Sequence, residues 1–264
     1  MEDALDRNGS GDERLARELA AAIAGHGLSL YFQPIVSLQD RSATMLEALP
    51  RWPHPERGIL APADFISVAA ENGLLGQLER WAIEEAFQQL STWRTGVASE
   101  LMISLNLSEE HVYETDLAGA VRSAAAASGA SAHRIGFEIS ESALIEAEGR
   151  SLGKLRDLSD LGVSLTIDDC NGDVSADLVR ELPTTALKIS RGVVEGIPDD
   201  ERRVAVASAA IELGRELGLA TIASGVESPG QLASLRDLGC RYAQGFLLSV
   251  PMPAEVLEDR MVGR

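Results

Sequence analysis

Leu165-Thr166-Ile167-Asp168-Asp169 is a short run of strand-favouring residues closed by two adjacent carboxylates. Runs of the same kind recur along the chain: Met45-Leu46-Glu47, Ile103-Ser104-Leu105-Asn106, Ile135-Gly136-Phe137-Glu138, Ala186-Leu187-Lys188 and Thr221-Ile222-Ala223-Ser224. Between them lie stretches with the apolar spacing of helices, so strands and helices alternate. That alternation predicts an α/β fold, and 264 residues suit a single barrel. In such a barrel the C-terminal strand ends converge on one face, where catalytic groups collect. Five of the six runs bring an acid, an amide or a lysine there. The sixth brings Ser224.

Working outward, residues 1–11 are polar with Gly and Ser, and read as a disordered start; 12–264 read as one barrel domain. Leu15, Leu19, Ala22 and Ile23 mark an amphipathic helix closed by Gly25 and Gly27. Strands are expected at 28–37, 43–51, 101–106, 134–139, 163–168, 185–189, 219–223 and 240–244. Helices are expected at 62–72, opened by Pro62, and at 74–94, 114–128, 148–160, 174–181, 200–217, 229–237 and 253–261. The segment WPHPERGILAP reads as a loop, and no internal boundary divides the chain.

Net charge is −18, and no basic stripe with interleaved aromatics occurs, which disfavours a nucleic-acid polymer as partner. Two cysteines, Cys170 and Cys240, give no disulfide framework and suit a reducing cytoplasm. No run reaches the roughly 18 apolar residues of a membrane span, so membrane insertion is not expected.

Hard divalent cations such as Mg²⁺ and Mn²⁺ take oxygen ligands, chiefly carboxylates with an occasional amide. Glu47, Asn106, Glu138 and Asp168 supply such a set from four strand ends. Adjacent Asp168 and Asp169 suit a position bridging two cations about 3.5–4 Å apart. Taken singly, each has an ordinary alternative, because a strand-end Glu is often a solvated edge or a helix cap. Trp52 stands between a guanine-stacking position and a barrel-rim core position, while His54 and His133 read as loop residues.

Glu47-Ala48-Leu49-Pro50-Arg51 resembles the signature of the EAL family, the cyclic di-GMP phosphodiesterases and their degenerate relatives. Tyr31-Phe32-Gln33-Pro34-Ile35-Val36, Asn106-Leu107-Ser108, Glu138-Ile139-Ser140-Glu141, Leu187-Lys188-Ile189 and Gln244-Gly245-Phe246 resemble further blocks in the same order. The resemblance covers roughly residues 28–255. It implies a (β/α)8 TIM-like barrel with an antiparallel first strand. It also implies that Glu47, Asn106, Glu138 and Asp168 bind one Mg²⁺ or Mn²⁺, and that Asp168 and Asp169 share in a second. Lys188 would steer the attacking water or neutralise phosphate, which places Lys188, Glu47 and Asp169 in the catalytic group. Arg51 would contact a phosphodiester oxygen, and Gln33, Leu49 and Gln244 would line the ligand site. Glu141 would anchor the loop after the paired aspartates.

Three departures bear on activity. Active family members carry Glu-Gly-Val-Glu where this chain has Ser224-Gly225-Val226-Glu227. The loop Cys170-Asn171-Gly172-Asp173-Val174-Ser175-Ala176 replaces Phe-Gly-Thr-Gly-Tyr-Ser-Ser and runs one residue shorter before Leu182-Pro183. Ser190 stands where aspartate is usual after Lys-Ile. Replacing a carboxylate by a hydroxyl removes a full negative charge from the second cation site, and two-metal hydrolysis needs both ions. The expectation is a receptor that binds cyclic di-GMP with little or no hydrolysis, the second metal site being impaired. Two alternatives stand beside it: a working phosphodiesterase giving linear pGpG, with water or Asp173 completing the site, and a nucleotide-independent protein-interaction module. A protein partner or a homodimer is compatible with any of them.

Overall fold

A computed structural model describes residues 2–93, 97–108, 116–146 and 152–262. The strands are β1 (Ser29–Ser37), β2 (Ala43–His54), β3 (Gly58–Leu60), β4 (Met102–Leu107), β5 (Ile135–Ser140), β6 (Ser164–Cys170), β7 (Ala186–Ile189), β8 (Ala220–Ala223) and β9 (Tyr242–Ala243). The helices are α1 (Glu2–Ala24), α2 (Pro62–Glu71), α3 (Leu75–Thr92), α4 (Leu117–Ser128), α5 (Glu141–Glu146), α6 (Leu152–Asp160), α7 (Ala176–Glu181), α8 (Arg191–Glu195), α9 (Glu201–Leu217), α10 (Pro229–Asp237) and α11 (Ala254–Val262).

The sheet runs β1-β9-β8-β7-β6-β5-β4-β2 and closes through pairing of β1 with β2, leaving β3 as a flap on β2. The result is a closed eight-stranded barrel. Strands β2 and β4 to β9 are mutually parallel, whereas β1 is antiparallel to both neighbours. The expected reversed first strand is therefore present, and the local reason is visible. Only residues 38–42 join β1 to β2, too few for the crossover a parallel pair needs. Asp40 closes that turn by accepting from the N–H and hydroxyl of Ser42 at 3.0 and 2.8 Å.

Inside the barrel, Ile35, Ala186 and Ile222 form a small buried plug. Outside it, Phe32, Leu46, Ile103 and Phe137 pack in one continuous core with helical residues such as Leu19, Phe65, Ile83 and Phe87. Burial of this two-layer kind fixes the strand register and so fixes which side chains reach the mouth.

Three elements differ from the sequence expectation. Helix α1 is assigned from Glu2, so it runs through the stretch read as a disordered start. No proline interrupts residues 2–11, and each glycine there costs a helix only about 1 kcal/mol. The segment read as a Pro/His loop extends β2 to His54 and returns as β3, turning at Gly58 with φ 73°. Short helices α5 and α8 follow β5 and β7 directly. Residues 114–115 and 148–151 of two expected helices lie outside the described residues.

Candidate functional site

Strand periodicity assembles the mouth. On β2, Glu47, Leu49 and Arg51 alternate with Ala48 and Pro50, so they share a face. Gln33 of β1 lies opposite Glu47, and Ser104 of β4 lies beside it in register. Two residues on, Asn106 lies beside Glu138, and Ser140 beside Asp168. Neighbouring strands β2, β4, β5, β6 and β7 thus carry Glu47, Asn106, Glu138, Asp168 and Lys188 toward one point.

Lys188 occupies that point. Its ammonium lies 2.9 Å from Glu47 Oε2, 2.5 Å from Glu138 Oε2 and 3.8 Å from Asp168 Oδ1. Glu47 also accepts from Asn106 Nδ2 at 2.8 Å and from Gln244 Nε2 at 2.7 Å. The Gln244 amide donates in addition to Gln33 Oε1 at 3.0 Å, and Gln33 donates to the carbonyl of Ser249 at 3.0 Å. Gln244 Oε1 is buried with no hydrogen-bond partner among the described residues. An orphaned acceptor of that kind calls for a donor from water or ligand.

Three carboxylates around one ammonium leave the centre electronegative. Burial raises the Glu138 carboxyl to about 7, and the charges of Glu47 and Asp168 add to it against Lys188. Asp168 is raised for the same reasons, burial first. Burial also works against the Glu47 carboxylate, but Lys188 and the two amide donors outweigh it and hold its pKa below the ordinary value. Lys188 is held well above the usual lysine range: burial opposes its charge, and the three surrounding carboxylates prevail.

Among the described residues, no three His, Cys, Asp or Glu side chains stand ready as a metal-binding group. The donor set nevertheless suits a hard cation: carboxylate and amide oxygens on adjacent strand ends, with excess negative charge. Lys188 is what holds those oxygens together in this state.

Other expected residues lie around this core. Asp169 lies within a register shift between Ile167 and Cys170 of β6, is exposed, and takes a left-handed φ of 53°. That conformation is tolerated by aspartate better than by most residues. It points successive carboxylates apart, leaving Asp168 in the cluster. Arg51 is half-buried with its guanidinium 5.4 Å from the Tyr31 ring centroid, and it donates to the Pro50 carbonyl at 2.9 Å. Four residues along the strand place it about 13 Å beyond Glu47. Leu49 lies between them, half-buried.

Glu141, buried at the start of α5, accepts from the backbone N–H groups of Asn171, Asp173 and Val174 at 2.7, 3.1 and 2.9 Å. Ser190 holds the other side of the loop, donating to Asn171 Oδ1 at 2.7 Å while capping α8. The rewritten loop is thus tied down at both flanks.

Ser224 follows β8, and its N–H donates to the Ile189 carbonyl at 3.1 Å. Its hydroxyl takes part in none of the cluster's bonds among the described residues. Gly225 then turns at φ 77°, and Glu227 pairs with Arg191 at 2.9 Å. Glu227 is therefore engaged outside the cluster.

Ser104 was not singled out from sequence, yet it donates to Glu138 at 2.5 Å from a buried position. The available signal was its place two residues before Asn106, on the same strand face. Trp52 is buried against Phe65 and His54, which settles it as core. His54 is not in a loop: it ends β2, buried, with Nε2 3.1 Å from Glu18 of α1.

Comparison with known proteins agrees with this geometry. The sequence matches the EAL domain family over residues 16–251. It is 36% identical over 247 residues to cyclic di-GMP phosphodiesterase NbdA of Pseudomonas aeruginosa, covering 93% of this chain and 32% of NbdA. It is 35% identical over 258 residues to the bifunctional diguanylate cyclase/cyclic di-GMP phosphodiesterase MucR of the same organism, covering 97% of this chain and 38% of MucR. The chain thus spans about a third of the length of these curated relatives. The solved PaMucR phosphodiesterase, a c-di-GMP complex, superposes with a TM-score of 0.88 at 36% identity, covering 92% of this chain and 99% of that one. No described helix is long and apolar enough to cross a membrane.

Proposed function

The chain belongs to the EAL domain family, and from that premise we propose that it binds cyclic di-GMP at the C-terminal mouth of its barrel with little or no hydrolysis. The observation that carries this reading is a contrast between two strands that open onto the same mouth, β2 and β8. Glu47 gathers Lys188, Asn106 and Gln244 around itself, whereas the end of β8 offers only the Ser224 hydroxyl.

In this reading Glu47, Asn106, Glu138 and Asp168 hold one Mg²⁺ or Mn²⁺, and Asp168 with Asp169 share in a second, weaker site. A pair of such ions, when bound, activates the attacking water and steadies the leaving oxygen. Lys188, protonated and centred on three carboxylates, places positive charge where a phosphodiester oxygen or its attacking water would sit. Gln33, Leu49 and Gln244 line the nucleotide, and Arg51 takes a phosphate oxygen. A deficit of about 4 kcal/mol in transition-state stabilisation from the missing carboxylate removes about a thousandfold in rate. Free, buried Cys170 and Cys240 suit work in the cytoplasm. A receptor of this type passes its state to a partner protein or to a second copy.

A second reading, a working phosphodiesterase, is favoured by the names of NbdA and MucR and by the anchored loop that carries Asp173. Titration calorimetry with cyclic di-GMP, with and without Mn²⁺, followed by product analysis after long incubation, separates the two. Binding without linear product supports the receptor. Turnover near one per second establishes the phosphodiesterase instead, and neither binding nor cleavage leaves an interaction module.

A further inference from the structure

Reversal of β1 leaves a gap in the outer helical layer. Elsewhere a crossover helix covers each parallel strand, but β1 reaches β2 through a tight turn and brings no helix of its own. The outer face of β1 is covered at Phe32 by Trp93 at the end of α3, and farther along by α10, α11 and the segment between β9 and α11. Between them lies a cavity of about 690 Å³, within the size range of small-molecule sites.

Its apolar surface comes from Leu46, Met252 and Leu257, all buried, together with Leu232 of α10 and Leu247, which is 38% exposed. Three arginines also line it: Arg41 from the β1–β2 turn, Arg236 from α10 and Arg260 from α11. No aspartate or glutamate is among its described lining residues, although the chain has 41 acids against 23 bases. Arg14, Arg180, Arg191, Arg203 and Arg215 all make ion pairs with nearby carboxylates. Arg41, Arg236 and Arg260 make none among the described residues. Asp40, beside Arg41, is turned to Ser42 instead. The pocket is separate from the catalytic mouth: it sits on the outer side of β1, whereas Gln33 projects inward.

We propose that this cavity is a binding site for a single-chain fatty acid, its alkyl chain against Leu46, Met252 and Leu257 and its carboxylate against the arginines. The apolar wall alone would accept any small hydrophobe. Three lining arginines without a counter-acid select an anionic head, and their forked donors match a carboxylate in geometry.

The probe is sodium decanoate, titrated calorimetrically into the full chain below its micelle concentration. Decanol and decyltrimethylammonium serve as neutral and cationic heads on the same alkyl chain. A single saturable site is expected for decanoate, with the other two at least about tenfold weaker, since a charge-assisted bond contributes about 1.5–3 kcal/mol. Arg236→Ala should weaken decanoate about tenfold on the same basis. Ala233→Glu, at an exposed lining position on α10, should abolish binding while leaving the circular dichroism melt unchanged. Equal affinity for all three heads, no decanoate binding, or binding untouched by Ala233→Glu overturns the proposal. So does concentration-dependent self-association that Ala233→Glu abolishes and decanoate leaves unaffected, because a second copy would then occupy the groove.

Discussion

The Lys188 ammonium and the Glu138 carboxylate meet at 2.5 Å in the barrel mouth, both buried, with Glu47 2.9 Å away on the other side. Taking these charges out of water is unfavourable, and their mutual attraction together with the surrounding donors offsets that penalty. Removing one partner leaves the others uncompensated. Lys188→Met in metal-free protein should therefore lose about 3–5 kcal/mol of stability, read from urea unfolding. Saturating Mn²⁺ should restore part of the loss, because a cation held by the same oxygens replaces the ammonium. Unchanged stability with and without Mn²⁺ would show that the cluster carries no such charge balance.

Glu141→Gln should loosen the loop after the paired aspartates. The carboxylate accepts three backbone N–H groups, and a neutral amide oxygen accepts fewer and more weakly. Hydrogen exchange at Asn171, Asp173 and Val174 should speed up, with a global loss of about 1–3 kcal/mol. Exchange rates indistinguishable from the parent would mean that Ser190 and the flanking elements hold the loop alone.

Much of this was legible in sequence because strands leave a simple trace. Apolar runs ending in Glu47, Asn106, Glu138, Asp168 and Lys188 placed those residues at strand ends, and the barrel does the rest by bringing adjacent ends together. Ser104 escaped because its hydrogen bond to Glu138 depends on the pairing of β4 with β5, which only the assembled sheet displays. The β3 flap escaped because three residues carry too little pattern to show a period. Short helix α8 is held by the Ser190 cap, and its five residues are too few for helical spacing to emerge. The position of Lys188 among the carboxylates was beyond sequence altogether, since it requires a side-chain path across the barrel axis.

Both thiols should be nearly inert in the native protein. Burial pushes the Cys240 thiol up to about 11 and drives Cys170 upward as well. At pH 8 a disulfide-exchange reagent should react with neither at an appreciable rate, and with both in urea. Thiolate forms more readily in the unfolded chain, near pH 8.5, than at Cys240 in the fold. The stabilisation from Cys240 is thus complete below pH 8.5 and is lost as pH rises toward 11. Rapid native labelling at pH 8 would contradict the burial of these sulfurs.

Ser224→Glu tests the proposed lesion directly. The side chain starts at the end of β8, next to the Lys188 strand in register, so a carboxylate there adds negative charge at the mouth without touching Gln33, Leu49 or Arg51. Phosphodiesterase activity should rise, by about tenfold for each 1.4 kcal/mol of transition-state stabilisation restored. Recovery is expected to be partial, because the shorter loop fixed by Glu141 and Ser190 leaves Asp169 exposed in its left-handed conformation. Arg51→Ala separates binding from metal chemistry: it should weaken cyclic di-GMP affinity equally in the parent and in Ser224→Glu, since the proposed phosphate contact is removed in both. If Ser224→Glu stays inert while still binding both nucleotide and Mn²⁺, the defect lies in the Cys170–Ala176 loop. Restoring that loop to its family sequence in the Ser224→Glu background should then bring hydrolysis back.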